Sequence, residues 1–291
     1  MKLIDTHLHY NLEPLLSGQV DDFFGKKKNA ALVAKKTWQD HWQEAKKQGL
    51  ILSLVVGANE ASSQKALEIA QQTQGLFAAV GIHPEEAEGI SLSDALPFIE
   101  KLAKEKKCLA IGEVGLDYYQ IEERHTDNFA ELRQKQQALF RAQILLAKKY
   151  QLPLVVHLRD QKTDAYREAL NILKEEKPLD SVIFHCVSGG IDFLQQALEI
   201  PQSYFGFDGN ISFKNAQEIR ELFTFLQKKH PEKILLETDA PFLAPEGHRG
   251  EICEPWMIRL TAEYLQREFQ FDPEQSSKNA IAALHFPENW E

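Results

Sequence analysis

The chain has 291 residues, of which 43% are apolar and 26% charged, the balance of a globular protein large enough for one barrel-type domain or two ordinary ones. Lysine and arginine number 33 against 43 acidic residues, and the resulting charge of −10 excludes a protein that coats nucleic acid through a broad basic surface. Apolar runs are too short for a membrane helix, and three scattered cysteines (Cys108, Cys186, Cys253) without C-x-x-C spacing exclude a disulfide framework and a thiolate zinc site.

The first stretch, Met1 to Tyr10, is a short apolar run ending in His7 and His9. Alternate residues of a strand share a face, so two imidazoles can converge on one point there, as metal chelation requires. The stretch lacks the long apolar segment of a secretory signal, so a reducing, cytoplasmic location is expected. An irregular segment with Lys26-Lys27-Lys28 follows, then a helical pattern around Trp38, Trp42 and Ala45. The lysine run is read as solvated.

Ile51 to Gly57 is a buried-strand run, and Asn59 is placed to cap a helix reaching about Gln74. The alternation continues with a strand at Leu76 to Gly81, a helix from Ser91 to Lys106, a strand at Cys108 to Gly112 and a long helix from Thr126 to Tyr150. Strands at Pro153 to Val156, Ser181 to Phe184, Tyr204 to Phe207 and Lys233 to Leu236 are separated by helices at Thr163 to Glu175, Ile191 to Glu199 and Asn215 to Lys229. Helices at Pro255 to Phe269 and Pro273 to Leu284 close the chain. Strand runs alternating with helices and no linker predict an α/β fold, a single (β/α)₈ TIM barrel over residues 1–291, with a doubly wound open sheet as the alternative.

A barrel puts its chemistry at the C-terminal ends of its strands. Just past those ends stand His7, His9, His83, Glu113, His157, His185 and Asp239. Four imidazoles and two carboxylates suffice for one to two divalent metal ions, Zn, Mn or Mg, with Glu113 bridging through its two oxygens. Two such ions about 3.5–4 Å apart activate a shared water, and the chemistry is hydrolysis.

The ordered motifs Asp5-Thr6-His7-Leu8-His9, Gly81-Ile82-His83-Pro84, Gly112-Glu113-Val114-Gly115-Leu116-Asp117-Tyr118, Val156-His157-Leu158-Arg159, His185-Cys186 and Glu237-Thr238-Asp239-Ala240-Pro241 closely resemble the TatD family of metal-dependent hydrolases over nearly the whole chain. The resemblance implies a metallo-barrel deoxyribonuclease, in some members one that trims 3′ ends. It makes His7, His9, Glu113 and Asp239 the ligands of one metal, and Glu113, His157 and His185 those of a second.

Three departures from the family pattern fall on substrate-facing loops. Glu85 stands where a histidine is usual, and Arg249-Gly250-Glu251-Ile252-Cys253-Glu254-Pro255 has lost two basic residues and an asparagine. The segment between Asn11 and Lys36 is longer than usual.

The expected function is phosphoester hydrolysis, in DNA above all, by a metal-bound hydroxide. Asp239 is the expected general base, and Glu237 a structural group below it. His83, Arg159, His248 and Arg249 are the substrate-binding candidates, since arginine forks onto phosphate oxygens. His41, His125, His230 and His285 are read as surface residues, and Phe205, Phe207 and Phe213 as wall and loop packing. The alternatives are an amide or ester hydrolase on the same cage and a catalytically silent metal-binding scaffold. DNA or another phosphoester is the transient partner, without a membrane or an obligate protein partner.

Overall fold

Short apolar runs bounded by Gly, Asn or Pro become strands, and the longer amphipathic stretches between them become helices. The structure is a computed structural model that describes residues 1–124, 128–162, 164–176 and 179–287. Its elements are β1 Leu3–Leu8, α1 Ala30–Val33, α2 Trp38–Lys47, β2 Leu50–Val56, α3 Glu60–Gln72, β3 Leu76–Val80, α4 Leu92–Ala103, β4 Cys108–Asp117, α5 Tyr118–Arg124, α6 Phe129–Tyr150, β5 Leu154–Arg159, α7 Asp164–Glu175, β6 Val182–Phe184, α8 Gly190–Ala197, β7 Ser203–Phe207, α9 Gln217–Lys229, β8 Ile234–Leu236, α10 Ile258–Phe269 and α11 Pro273–Leu284. The expectations for His125 and for helix starts at Thr126 and Thr163 lie outside the described residues.

All eight strands pair in parallel in chain order. Closure is made just beyond β8, where Leu8 bridges Ala240, the Asp239 N–H donates to His7 O at 2.9 Å and the His9 N–H donates to Ala240 O at 2.8 Å. This is a (β/α)₈ barrel, and the open-sheet alternative falls with that closure.

Period two sorts the strand residues into two cores. Leu52, Leu54 and Val56 face inward, with Ile4, Ala79, Ala110, Val155, Ile183 and Leu235 from other strands and Ala280, Ala283 and Leu284 from α11. Val55, Val80, Ile111, Val156, Phe184 and Leu236 belong to the outer core, with Phe205 and Phe207 as the expected barrel wall. Each buried aliphatic side chain contributes about 1.5–3 kcal/mol, which makes the frame rigid enough to hold a polar rim. At the N-terminal end Ser277 Oγ of α11 donates to Lys2 O at 2.9 Å and Asn279 Nδ2 donates to Ile234 O at 2.8 Å, so α11 plugs that mouth. The C-terminal rim remains for chemistry.

Asn59 caps α3 as expected, accepting the Ser62 N–H at 2.9 Å. β4 is longer than its apolar run suggested, because it continues through Glu113 to Asp117. Gly115, within that continuation, serves a close approach: its φ is +143°, and a Cβ there would collide with the His157 carbonyl. His41, expected at the surface, is buried, since it shares the inward stripe of α2 with Trp38, Trp42 and Ala45. His285 is exposed, as expected, whereas His230 is half-buried.

Residues 11–36 fold onto the loop that follows β8. Asn29 exchanges two hydrogen bonds with Ile252, at 3.0 and 2.7 Å, and Lys36 Nζ lies 2.5 Å from Glu254 Oε2. Among the described residues no helix is long and apolar enough to cross a membrane.

Candidate metal centre

Register irregularities interrupt β1 between Asp5 and Leu8 and β4 between Ile111 and Val114, and they fall on His7 and Glu113. An extra residue in a ladder turns a side chain out of its regular direction, as sheets often do beside active sites. The Glu113 carboxylate is thereby set between two clusters. Its Oε2 is 3.4 Å from His7 Nε2 and 4.0 Å from His9 Nε2, and Asp239 Oδ1 lies 3.3 Å from His9 Nε2 and 3.7 Å from His7 Nε2. Its Oε1 is 2.8 Å from both His157 Nδ1 and His185 Nε2, and 3.5 Å from His83 Nε2. One carboxylate thus presents one oxygen to each donor set.

The outer ring nitrogens decide what the inner ones offer. His9 Nδ1 is 2.9 Å from Val56 O, so it carries the proton and leaves a lone pair on Nε2 inside the cage. His157 Nε2 is 3.2 Å from Asp117 Oδ2, which orients Nδ1 inward in the same way. In His83 the tautomer is reversed: Nδ1 accepts the Glu85 N–H at 3.2 Å, so Nε2 bears the hydrogen and is a donor to the cavity rather than a ligand.

Burial pushes the His7 pKa down to about 4 and that of His83 to about 3, so both stay neutral. Burial would raise Glu113, but His185, His83 and His7 outweigh it and hold the carboxylate well below its ordinary range. Asp239 is lowered too, its burial opposed by His9 and His7. Burial lowers His157, yet Asp117 and Glu113 overcome it and raise the ring to about 10, so this imidazole must give up a proton to become a ligand. Ionised carboxylates and inward imidazole lone pairs, converging without thiolates, are a donor set that fits Zn²⁺, Mn²⁺ or Mg²⁺. A separate cluster of His41, Glu44 and Glu254 already holds a cation of its own, with Lys36 Nζ 2.6 and 2.5 Å from the two carboxylates.

The family model for TatD-related DNase matches residues 4–284, a span that includes the whole cage. The chain belongs to the TatD family. It is 32% identical over 265 residues, 90% of this chain and 89% of the relative, to YabD of Bacillus subtilis strain 168, described as an uncharacterized metal-dependent hydrolase. An uncharacterized metal-dependent hydrolase of Mycoplasma pneumoniae is 31% identical over 272 residues, with 91% of each chain covered. The solved structure of YjjV, a TatD homolog from Escherichia coli K12, matches with a TM-score of 0.77 at 25% identity and 98% coverage of both chains. The protein is a TatD-family metal-dependent hydrolase.

Beneath the cage of this TatD protein lies a second layer of acids. Asp117 is held by Gln136 of α6, which accepts its N–H at 2.9 Å and donates to its carbonyl at 3.2 Å. Outer partners of this kind typically account for about 10–100-fold in metal affinity. Asp117→Asn should therefore weaken cation binding by about that factor with the fold intact, as read by competition with a chelator. Unchanged affinity would mean that the His157 ring is oriented by something else.

Asp5 accepts the N–H groups of His7 and Thr238, at 3.2 and 3.0 Å, and the Thr238 hydroxyl at 2.7 Å. It thereby ties β1 to the turn that carries Asp239, whose φ of +54° lies in the left-handed region that aspartate tolerates. Glu237 is fully buried below, accepting the Cys186 N–H, in space left by the missing side chain of Gly206. Burial raises its pKa well above the ordinary range.

Asp208 is raised from 3.8 to about 7, again chiefly by burial. A carboxyl with a raised folded pKa takes up a proton on folding, so its stabilisation is whole below its unfolded pKa and lost as the pH rises through its folded one. Asp208→Asn keeps an oxygen for the Asn210 N–H, which Asp208 accepts at 2.7 Å. Between about pH 4 and pH 7 metal-free Asp208→Asn is expected to lose less stability than the parent, by up to about 4 kcal/mol. Urea melts at the two pH values check this, and equal losses would mean that Asp208 is ionised throughout.

The cage opens into a cavity of about 640 Å³. His83 and Arg159 line it with all the proposed ligands except the fully buried His7, and Leu12, Phe242 and Leu243 supply apolar wall. Among the described residues the Arg159 guanidinium lies on the Tyr119 ring, 4.2 Å from its centroid, instead of bracing a ligand carboxylate. His248 and Arg249, expected to face substrate, do not line this cavity. His248 Nδ1 is 2.8 Å from Glu251, which stands where a basic residue is usual in the family, and Arg249 lies over Phe213 at 4.4 Å.

Asp117 and Phe242 were missed by reading single residues past each strand. Asp117 had a signal: it shares a strand face with Glu113, four residues away. Phe242 had none, because only the fold brings it beside His9, with ring centroids 6.2 Å apart.

Proposed function

We propose that this chain hydrolyses phosphoester bonds, with DNA as the substrate, using cations held by His7, His9, Glu113 and Asp239 on one side and Glu113, His157 and His185 on the other. The observation that carries the reading is the Glu113 carboxylate, whose two oxygens face separate sets of imidazoles within 4.0 Å. Bound divalent cations there would acidify a water and offset charge on a phosphoester.

The chain's own residues do the rest. His83 donates Nε2–H and Arg159 offers a forked guanidinium from the cavity wall, both suited to non-bridging phosphate oxygens. Asp239 takes up the proton of the attacking water: its Oδ1 faces His9, and 13% of its side chain stays open to the cavity. Glu113, nearly closed off and held strongly ionised, is kept for cations. Phosphate is favoured over a neutral carbonyl because Arg159 has no carboxylate partner among the described residues and meets a ring instead.

A panel of activated phosphodiesters, esters and amides, with single-stranded and duplex DNA, tests the reading. Turnover of the phosphodiesters and of DNA is expected. Turnover of esters or amides alone would make the protein an acyl hydrolase, and metal binding with no turnover would make it a scaffold.

A further inference from the structure

Among the described residues only two phenylalanines are exposed, Phe23 at 57% and Phe242 at 40%. Both rest on the same buried ring. Phe23 is 5.0 Å from Phe24 between centroids, edge to face, and Phe242 is 5.9 Å from Phe24, tilted at 41°. Phe242 lines the cavity, so a chain of ring contacts leads from the cage through Phe24 to the exposed Phe23.

The turn that carries Phe23 and Phe24 is pinned at both ends. Asp21 Oδ1 accepts the Phe24 N–H at 2.8 Å, and the Lys28 N–H donates to Gly250 O at 3.0 Å. A cation lies against one of the exposed rings: Lys27 Nζ sits over the Phe23 ring, 4.4 Å from its centroid, while Lys28 Nζ is anchored 3.0 Å from Arg249 O. Asp21 and Asp22 lie on the same turn, so the edge is locally mixed rather than a broad basic track.

We infer that the long segment between Asn11 and Lys36 builds a stacking shelf for the end of a single DNA strand, with Phe23 and Phe242 as its open rings and Lys27 and Lys28 beside the backbone phosphates. The inference rests on the phosphoester reading of the cage. A fixed aromatic face flanked by ammonium groups matches a nucleotide, which offers a flat base beside an anionic phosphate. Within a duplex the base faces are already stacked, so the shelf selects single-stranded ends.

The test is binding of a fluorescent ten-nucleotide single strand with hydrolysis-resistant phosphorothioate linkages to the full-length chain. A matched probe lacks the bases of the two terminal nucleotides at each end. The parent should bind the base-bearing probe about 10-fold more tightly, the value of one good stack. Phe23→Leu and Phe242→Leu keep apolar volume on Phe24 but lose the ring, and each should shrink that ratio, while Phe242→Trp should retain it. Equal binding of the two probes to the parent, a ratio that survives both leucine variants, or no binding of either probe would overturn the shelf. Turnover of a small chromogenic phosphodiester separates the two ideas. Turnover without a base-dependent ratio removes the shelf alone, and a ratio without any phosphodiester turnover removes the phosphoester reading alone.

Discussion

Glu113→Gln is expected to strip the chain of tightly held cations and remove nearly all turnover, because one carboxylate serves both donor sets. Its Oε2 faces His7 and His9, and its Oε1 stands 2.8 Å from His157 and His185. A glutamine keeps the shape but offers one neutral oxygen, so neither set keeps the bridging carboxylate. The remaining ligands are neutral imidazoles and the single carboxylate of Asp239, too little charge to balance two divalent cations. Metal analysis of the variant beside its turnover decides the matter. Full cation occupancy with parental activity would make Glu113 a structural residue.

Asp239→Asn is expected to lower kcat by about 10²–10⁴-fold, the usual contribution of a positioned general base, while the substrate term moves little. The amide keeps one oxygen for the cage but cannot accept the proton. Asp239 is fixed well enough for the comparison to be clean: its N–H donates to His7 O, and Asp5 fastens the adjacent Thr238. A change confined to KM would assign Asp239 to binding.

Much of this molecule is legible in its residues. Apolar runs flanked by breakers locate all eight strands, because a buried parallel strand needs apolar side chains on both faces. His7 and His9 foretell their own convergence through the period of a strand, and their Nε2 atoms lie 3.3 Å apart. What stayed hidden was set by contacts between distant segments. Gly112 read as the end of β4, whereas the strand runs on to Asp117 with Gly112 and Gly115 letting neighbouring chain approach, and Asp117 was obscured beyond it. His41 looked like a surface residue because its partner Glu254 lies 213 positions away in sequence. His248 and Arg249 were read by chemistry alone, and whether a loop cation reaches a cavity depends on which carboxylate or ring captures it first.

The most direct test of the account is a cation titration of the chelator-treated protein, with bound metal and phosphodiester turnover measured on the same samples. Turnover should rise with occupancy and saturate at about one to two divalent cations per chain. Binding of less than about half an equivalent after reconstitution, or full turnover in the chelated protein, would contradict it.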